Sequence, residues 1–112
     1  MNFKSEKKGN ILIVRSSIER LDTESAPELK GLLTFENKQG HNKILLDLSN
    51  TKFCDSSGLS AILVANRLCK DTNGVFVLTG IHPNVGKMIE IAQLDRVLLI
   101  HDTLENGLKG FE

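Results

Sequence analysis

The sequence predicts an α/β fold in which a mixed, mostly parallel sheet is flanked by about four helices. Short apolar runs rich in β-branched residues alternate with segments of helical periodicity along the whole chain. The later runs are apolar at successive positions, which is typical of parallel strands buried on both faces. Turn or capping residues stand between most of these segments, and together they indicate the order β-β-α-β-α-β-α-β-α.

Size and composition are those of an ordinary globular protein. The 112 residues are 40% hydrophobic and 25% charged, and we expect a single domain over residues 1–112. The formal net charge is zero, and Trp and Tyr are absent, so we expect neither a nucleic-acid nor a membrane partner. A polar N-terminus and the lack of a long apolar run favour a cytoplasmic protein, which we expect to be a monomer.

The first third of the chain predicts a hairpin followed by a helix. Residues 3–8 alternate weakly, as in an edge strand, Gly9-Asn10 is typical of a tight turn, and residues 11–14 form a strand. Helix capping by Asp22, Thr23 or Ser25 is possible, with Glu28 placed to complete a capping box. The inward stripe of this helix is predicted to contain Leu29, Leu32 and Leu33.

The rest of the chain continues the alternation. Strands are predicted at residues 43–48, 75–78 and 97–100. The central helix should run from about Ser57 to Lys70, and its second apolar stripe favours burial against a neighbouring helix. Pro83 should open a third helix and Asp102 should cap the last one.

The junction between the strand at 43–48 and the central helix carries the most chemistry. Asp55, Ser56, Ser57 and Gly58 stand at a helix N-terminus, where unpaired backbone N–H groups and the helix dipole favour an anion. We expect Ser56 to be the N-cap, which leaves the hydroxyl of Ser57 freer in the first turn. Spacing alone favours the simpler interpretation that both serines cap the helix.

Two neighbours of these serines have alternative interpretations. Asp55 could orient a kinase or could cap the helix. Gly58 is unfavourable within a helix, so it either lets another protein approach Ser57 or packs closely against a neighbouring strand.

Catalytic chemistry is not indicated. A serine at a strand-to-helix turn suggests a nucleophile elbow, but the Gly-x-Ser-x-Gly pattern is missing. The histidines have no motif context, and no metal-ligand, P-loop or dinucleotide pattern occurs, so we expect no enzyme activity and no cofactor. Cys54 and Cys69 are predicted to be small buried hydrophobic residues in a reducing compartment.

The pair Leu21-Asp22 and the later stretch Phe53 to Leu59 resemble the STAS domain of bacterial anti-sigma-factor antagonists. The order of elements agrees over nearly the whole chain. Two positions depart from the family pattern: Glu19 stands where glycine is frequent, and Cys54 stands where a larger apolar residue is usual.

The resemblance implies a regulatory switch. The second serine of the motif, Ser57, would be phosphorylated by an anti-sigma factor that is a serine kinase. Phosphorylation would release the antagonist from that kinase, and a serine phosphatase would reverse it. The residues that would contact the partner are Asp22, Asp55, Ser56, Ser57, Gly58 and Leu59. For Asp22, capping of the first helix is an equal alternative.

Two other functions remain open at this point. The chain could be an unphosphorylated STAS adaptor subunit of a lipid-transport or stress-signalling complex. It could instead be a small serine hydrolase or phosphocarrier enzyme, which an assay with generic ester substrates would test.

Overall fold

The structure is a computed structural model that describes residues 2–112. These residues form seven strands and four α-helices. The strands are β1 (Phe3–Lys8), β2 (Ile11–Ser16), β3 (Arg20–Leu21), β4 (Lys43–Asp47), β5 (Phe53–Cys54), β6 (Val75–Thr79) and β7 (Leu99–His101). The helices are α1 (Ala26–Lys38), α2 (Ser56–Asp71), α3 (Pro83–Ile91) and α4 (Leu104–Lys109). The predicted α/β class and its four helices are confirmed.

Five of these strands form the main sheet, in the order β1-β2-β4-β6-β7. The β1–β2 pair is antiparallel, and the other three pairs are parallel. Gly9 adopts a left-handed conformation (φ +63°) in the turn between β1 and β2, as expected for a tight hairpin. The prediction of a mixed, mostly parallel sheet is therefore confirmed.

Helices cover both faces of the main sheet. Successive side chains of a strand point to opposite faces, so Leu46 joins the large core cluster while Leu45 lies on the other side. On that second face, a Cβ atom at Gly107 of α4 would lie 2.2 Å from Thr79 Cγ2 and 2.9 Å from Leu45 Cδ1. The backbone of α4 therefore rests directly on the sheet, and α1, α2 and α3 pack on the opposite face.

The two shortest strands stand apart from the main sheet and were not predicted. Strands β3 and β5 pair with each other in parallel, with Leu21 opposite Cys54. Each contains two residues, so neither shows the alternation that identifies a strand in a sequence. Their pairing joins segments more than thirty residues apart and depends on the tertiary fold.

Helix starts differ in detail from the predictions. Ser25 precedes α1 but makes no side-chain cap, and Glu28 accepts hydrogen bonds from Asn2 instead of completing a capping box. The last helix begins after Thr103, whose hydroxyl accepts from the backbone N–H of Asn106 at 3.1 Å. The predictions of a capping box at Glu28 and of Asp102 as the final cap were therefore wrong.

The C-terminal strand is shorter than predicted. A 3₁₀ turn covers Leu94–Arg96, and the backbone N–H groups of Val97 and the buried Leu98 both donate to the Leu94 carbonyl. Strand β7 therefore begins only at Leu99. Helical hydrogen bonds to the Leu94 carbonyl thus extend into the segment that the apolar pattern assigned to the strand. In the part of the chain described here, no helix combines the length and apolar character needed to cross a bilayer.

Helix α2 packs against α1, which explains its second apolar stripe. Ala61 and Ala65 are buried, and the Asn37 side-chain amide of α1 donates to the backbone carbonyl of Leu68 at 3.3 Å. The predicted burial of this stripe against a neighbouring helix is confirmed for Ala61 and Ala65, while Val64 and Leu68 of the same stripe are half-buried. The packing also places the N-terminal turns of α1 and α2 side by side.

Candidate functional site

Asp55, and not Ser56, caps helix α2. Its backbone is extended (φ −101°, ψ −172°), and its Oδ1 accepts a hydrogen bond from the backbone N–H of Gly58 at 3.0 Å. Ser56 is instead the first helical residue and is exposed to solvent. The prediction of Ser56 as N-cap was wrong because Asp55, the last extended residue before α2, already accepts from the free N–H of Gly58.

Ser57 lies in the first turn of α2 and is partly exposed. Because Asp55 supplies the cap, the Ser57 hydroxyl is not needed for it. Ser57 faces an open surface groove of about 450 Å³ between the N-terminal turns of α1 and α2. We call this the serine groove; it is lined by Thr23, Ala26, Pro27, Lys30, Ser56, Ser57, Ser60 and Ala61.

Lys30 gives the serine groove a cation that the sequence did not single out. It is exposed on α1 and lines the groove together with Ser57. Lys30 follows Pro27 by one turn, so both lie on the same face of α1. The proximity of this face to Ser57 follows only from the packing of α1 beside α2. The groove thus combines a free hydroxyl, a positive helix end and a lysine.

Asp22 lies beside Asp55 because β3 and β5 are parallel. Each aspartate directly follows one of the paired strands, so both line a small cleft at their carboxyl ends. The Asp22 Oδ1 also accepts from the backbone N–H groups of Glu24 at 3.0 Å and Ser25 at 3.4 Å. Asp22 therefore braces the turn that precedes α1, and its contact with a partner stays a prediction.

Gly58 and Leu59 lie beneath this surface. A Cβ atom at Gly58 would be 2.6 Å from the Leu21 carbonyl oxygen and 2.6 Å from Cys54 Sγ. Close packing against the neighbouring strand thus accounts for the glycine. Leu59 is 6% exposed and belongs to the core. The structure gives Gly58 and Leu59 a packing role, and their contact with a partner stays a prediction.

A buried polar residue that the sequence did not reveal holds β3 and β5 in place. Thr51 is fully buried, donates to the Ile18 carbonyl at 2.8 Å and shares a 2.7 Å hydrogen bond with the Ser16 hydroxyl. The backbone N–H groups of Lys52 and Phe53 both bond to the Glu19 carbonyl. An isolated threonine in a polar loop gives no sequence signal, because its importance comes from long-range partners.

The two cysteines behave as small buried residues, as predicted. Both are free thiols. Burial, together with the negative charge of Asp55, raises the pKa of Cys54 to about 12, and burial raises the pKa of Cys69 to about 11. Protonated, enclosed thiols are poor nucleophiles and poor metal ligands. Within residues 2–112, no group of three or more His, Cys, Asp or Glu side chains is placed to hold a metal ion.

Fold and site together define a class of protein: an α/β domain that presents a capped Asp-Ser-Ser-Gly turn at the start of its central helix. Comparison with known protein families identifies one matching family. The sequence matches the STAS domain family over residues 2–107, and the chain belongs to this family. The family expected from Leu21-Asp22 and the stretch Phe53 to Leu59 is therefore confirmed.

Individual relatives agree with this assignment. The chain is 36% identical over 75 residues to a candidate anti-sigma factor antagonist of Thermotoga neapolitana, covering 67% of this chain and 66% of that relative. It is 32% identical over 69 residues to the anti-sigma F factor antagonist of Paenibacillus polymyxa, covering 62% and 59% of the two chains. The matched part thus spans less than two thirds of the length of these relatives.

The fold is similar over a larger part of the chain. The crystal structure of a candidate anti-sigma factor antagonist from Thermotoga maritima superposes with a TM-score of 0.90 at 25% sequence identity. The superposition covers 97% of this chain and 93% of that one.

Proposed function

We propose that this protein is an anti-sigma factor antagonist that is switched at Ser57. When unphosphorylated, it binds an anti-sigma factor that is a serine kinase, and so regulates transcription that depends on a sigma factor. Phosphorylation of Ser57 releases it from the kinase, and a serine phosphatase removes the phosphate. The observation that carries this proposal is the partly exposed Ser57 hydroxyl, which faces an open groove and is not used as the helix cap.

The position of Ser57 suits both reactions of such a switch. The serine groove is open to solvent, so the active site of a kinase or a phosphatase has access to the hydroxyl. The turn that carries the hydroxyl is closely packed and capped, because Gly58 lies against β3 and Asp55 accepts from the Gly58 N–H. Names of the relatives support the same function for this chain.

Charge accounts for release without a large change of shape. A phosphate adds about −1.5 to −2 charges at neutral pH. Asp22 and Asp55 already lie nearby, and an exposed pair with Lys30 offsets at most about 1 kcal/mol. Enclosing the phosphate in an interface then weakens binding, and every 1.4 kcal/mol lost is a tenfold loss of affinity.

The test begins with the purified serine-kinase anti-sigma factors encoded in the same genome. Each is incubated with this protein and ATP, and the phosphorylated residue is mapped by mass spectrometry. We expect a single phosphate on Ser57, none on Ser57→Ala, and unchanged labelling of Ser56→Ala. Phosphate on Ser56 instead would show that the wrong serine was assigned.

Binding to the same kinases tests the charge effect. Ser57→Ala should bind as tightly as the wild type, and Ser57→Asp should bind at least about tenfold more weakly while staying folded. Equal binding by Ser57→Asp would refute the charge switch. If the wild-type protein neither binds these kinases nor is phosphorylated by them, the result would favour the alternative function as an unphosphorylated adaptor subunit.

A further inference from the structure

The exposed face of helix α1 continues the serine groove into a second groove. We call this second groove the α1 groove; it is lined by Pro27, Lys30, Gly31, Thr34, Phe35 and Lys38. Pro27 and Lys30 belong to both grooves, so the two form one continuous surface. We propose that the α1 groove is the second half of the docking surface, and that it binds an acidic segment of the same partner carrying an apolar side chain. This inference rests on the proposed function of Ser57.

Gly31 is the first observation that points to a partner. It lies in the middle of α1, where glycine is among the least favourable residues. A Cβ atom at this position would meet nothing within 4 Å, so no contact within residues 2–112 requires a glycine. A partner side chain seated against the bare backbone at Gly31 would require one.

Phe35 is the second observation. This aromatic side chain is 59% exposed and follows Gly31 by one helical turn, so the two residues lie side by side on α1. Aromatic residues, Phe among them, are enriched at protein interfaces relative to the rest of the protein surface. Together Gly31 and Phe35 form a notch with an aromatic wall, which fits an apolar side chain.

Charge indicates that the partner segment is acidic. Lys30 and Lys38 both line the α1 groove, and both are exposed. Among the described residues that line the two grooves, none carries a carboxylate. A phosphate on Ser57 would roughly cancel these two positive charges and would repel the acidic segment, so the α1 groove also strengthens the proposed switch.

The experiment measures binding of the purified serine-kinase anti-sigma factors from the same genome by isothermal titration calorimetry. Gly31→Gln fills the notch, and since its site opens to solvent the variant should fold normally. We expect Gly31→Gln and Phe35→Ala each to bind at least about tenfold more weakly than the wild type. Lys38→Glu should also weaken binding and should reduce its dependence on salt concentration.

Matched controls separate this docking role from general effects. Gly86→Gln changes a glycine of helix α3 that lines neither groove, and Lys109→Glu reverses a charge on α4, across the sheet. Both should bind within about threefold of the wild type.

The outcomes distinguish the two proposals. If Ser57→Asp weakens binding while Gly31→Gln and Phe35→Ala bind normally, the α1 groove is not part of the interface and only the switch at Ser57 stands. If the wild type binds none of the kinases, both proposals fail, because the α1 groove was assigned to that partner.

Discussion

Replacing Gly58 with alanine tests how the first turn of α2, which carries Ser57, packs against β3. The added Cβ atom would lie 2.6 Å from the Leu21 carbonyl oxygen, 2.6 Å from Cys54 Sγ and 2.9 Å from Leu21 Cγ. The carbonyl belongs to the backbone of β3, so relief requires the strand to move by roughly 0.8 Å to reach the 3.4 Å of ordinary contact. Because the clashing atom is a backbone oxygen, rotation of a side chain cannot relieve the clash.

The expected loss of stability follows from two opposing terms. Overpacking of a close-packed interior costs about 1–3 kcal/mol, and a clash with backbone places this site near the upper end. Alanine is about 1 kcal/mol more favourable than glycine in a helix, which partly offsets this loss of stability. The Gly58→Ala variant should therefore be about 2 kcal/mol less stable than the wild type, which lowers Tm by roughly 8 °C for a domain of this size.

Gly31→Ala is the matched control for this measurement. Its added Cβ atom meets nothing within 4 Å, so only the helix term remains, and the variant should be about 0.5–1 kcal/mol more stable than the wild type. The chain contains no Trp and no Tyr, so unfolding in denaturant should be followed by far-ultraviolet circular dichroism. A Gly58→Ala variant as stable as the wild type would refute the close packing of α2 on β3.

Two further predictions concern the same region. Asp55→Ala should lower the free energy of unfolding by about 1 kcal/mol through loss of the N-cap. Asp55→Asn retains a capping oxygen and Ser56 is exposed, so Asp55→Asn and Ser56→Ala should each change this free energy by less than about 0.5 kcal/mol. Equal losses in Ser56→Ala and Asp55→Ala would contradict the observed cap. The pKa of Cys54 rises from 9.0 to about 12 on folding, so its contribution to stability is complete below pH 9 and is lost as pH rises toward 12. Denaturant unfolding at several alkaline pH values should show a shallower decline for Cys54→Ala than for the wild type, and parallel curves would indicate that this thiol is accessible to water.

Strands and helices with a clear periodicity of apolar residues could be predicted from the sequence. The β1–β2 hairpin, the later strands and helix α2 follow from local patterns of apolar residues and turn residues, and α2 begins within one residue of its predicted start. These patterns reflect contacts that every strand or helix of that type makes, so no knowledge of the partner elements is required.

Features that depend on distant contacts could not be predicted. Strands β3 and β5 exist because Thr51 and its partners bring two loops together. The capping residue of α2 was misassigned because Asp55 and Ser56 are both good caps, and only the backbone direction decides between them. Lys30 was missed because its proximity to Ser57 depends on how α1 packs beside α2.

The separation between the main sheet and the surface around Ser57 has a consequence for engineering. The residues that line the two grooves all belong to α1, α2 or the turn before α1, while the five-stranded framework lies behind them. Exchanging groove-lining positions such as Thr34 and Lys38 should therefore leave the packing of the interior unchanged. The groove surface can then be redesigned separately from the hydrophobic core.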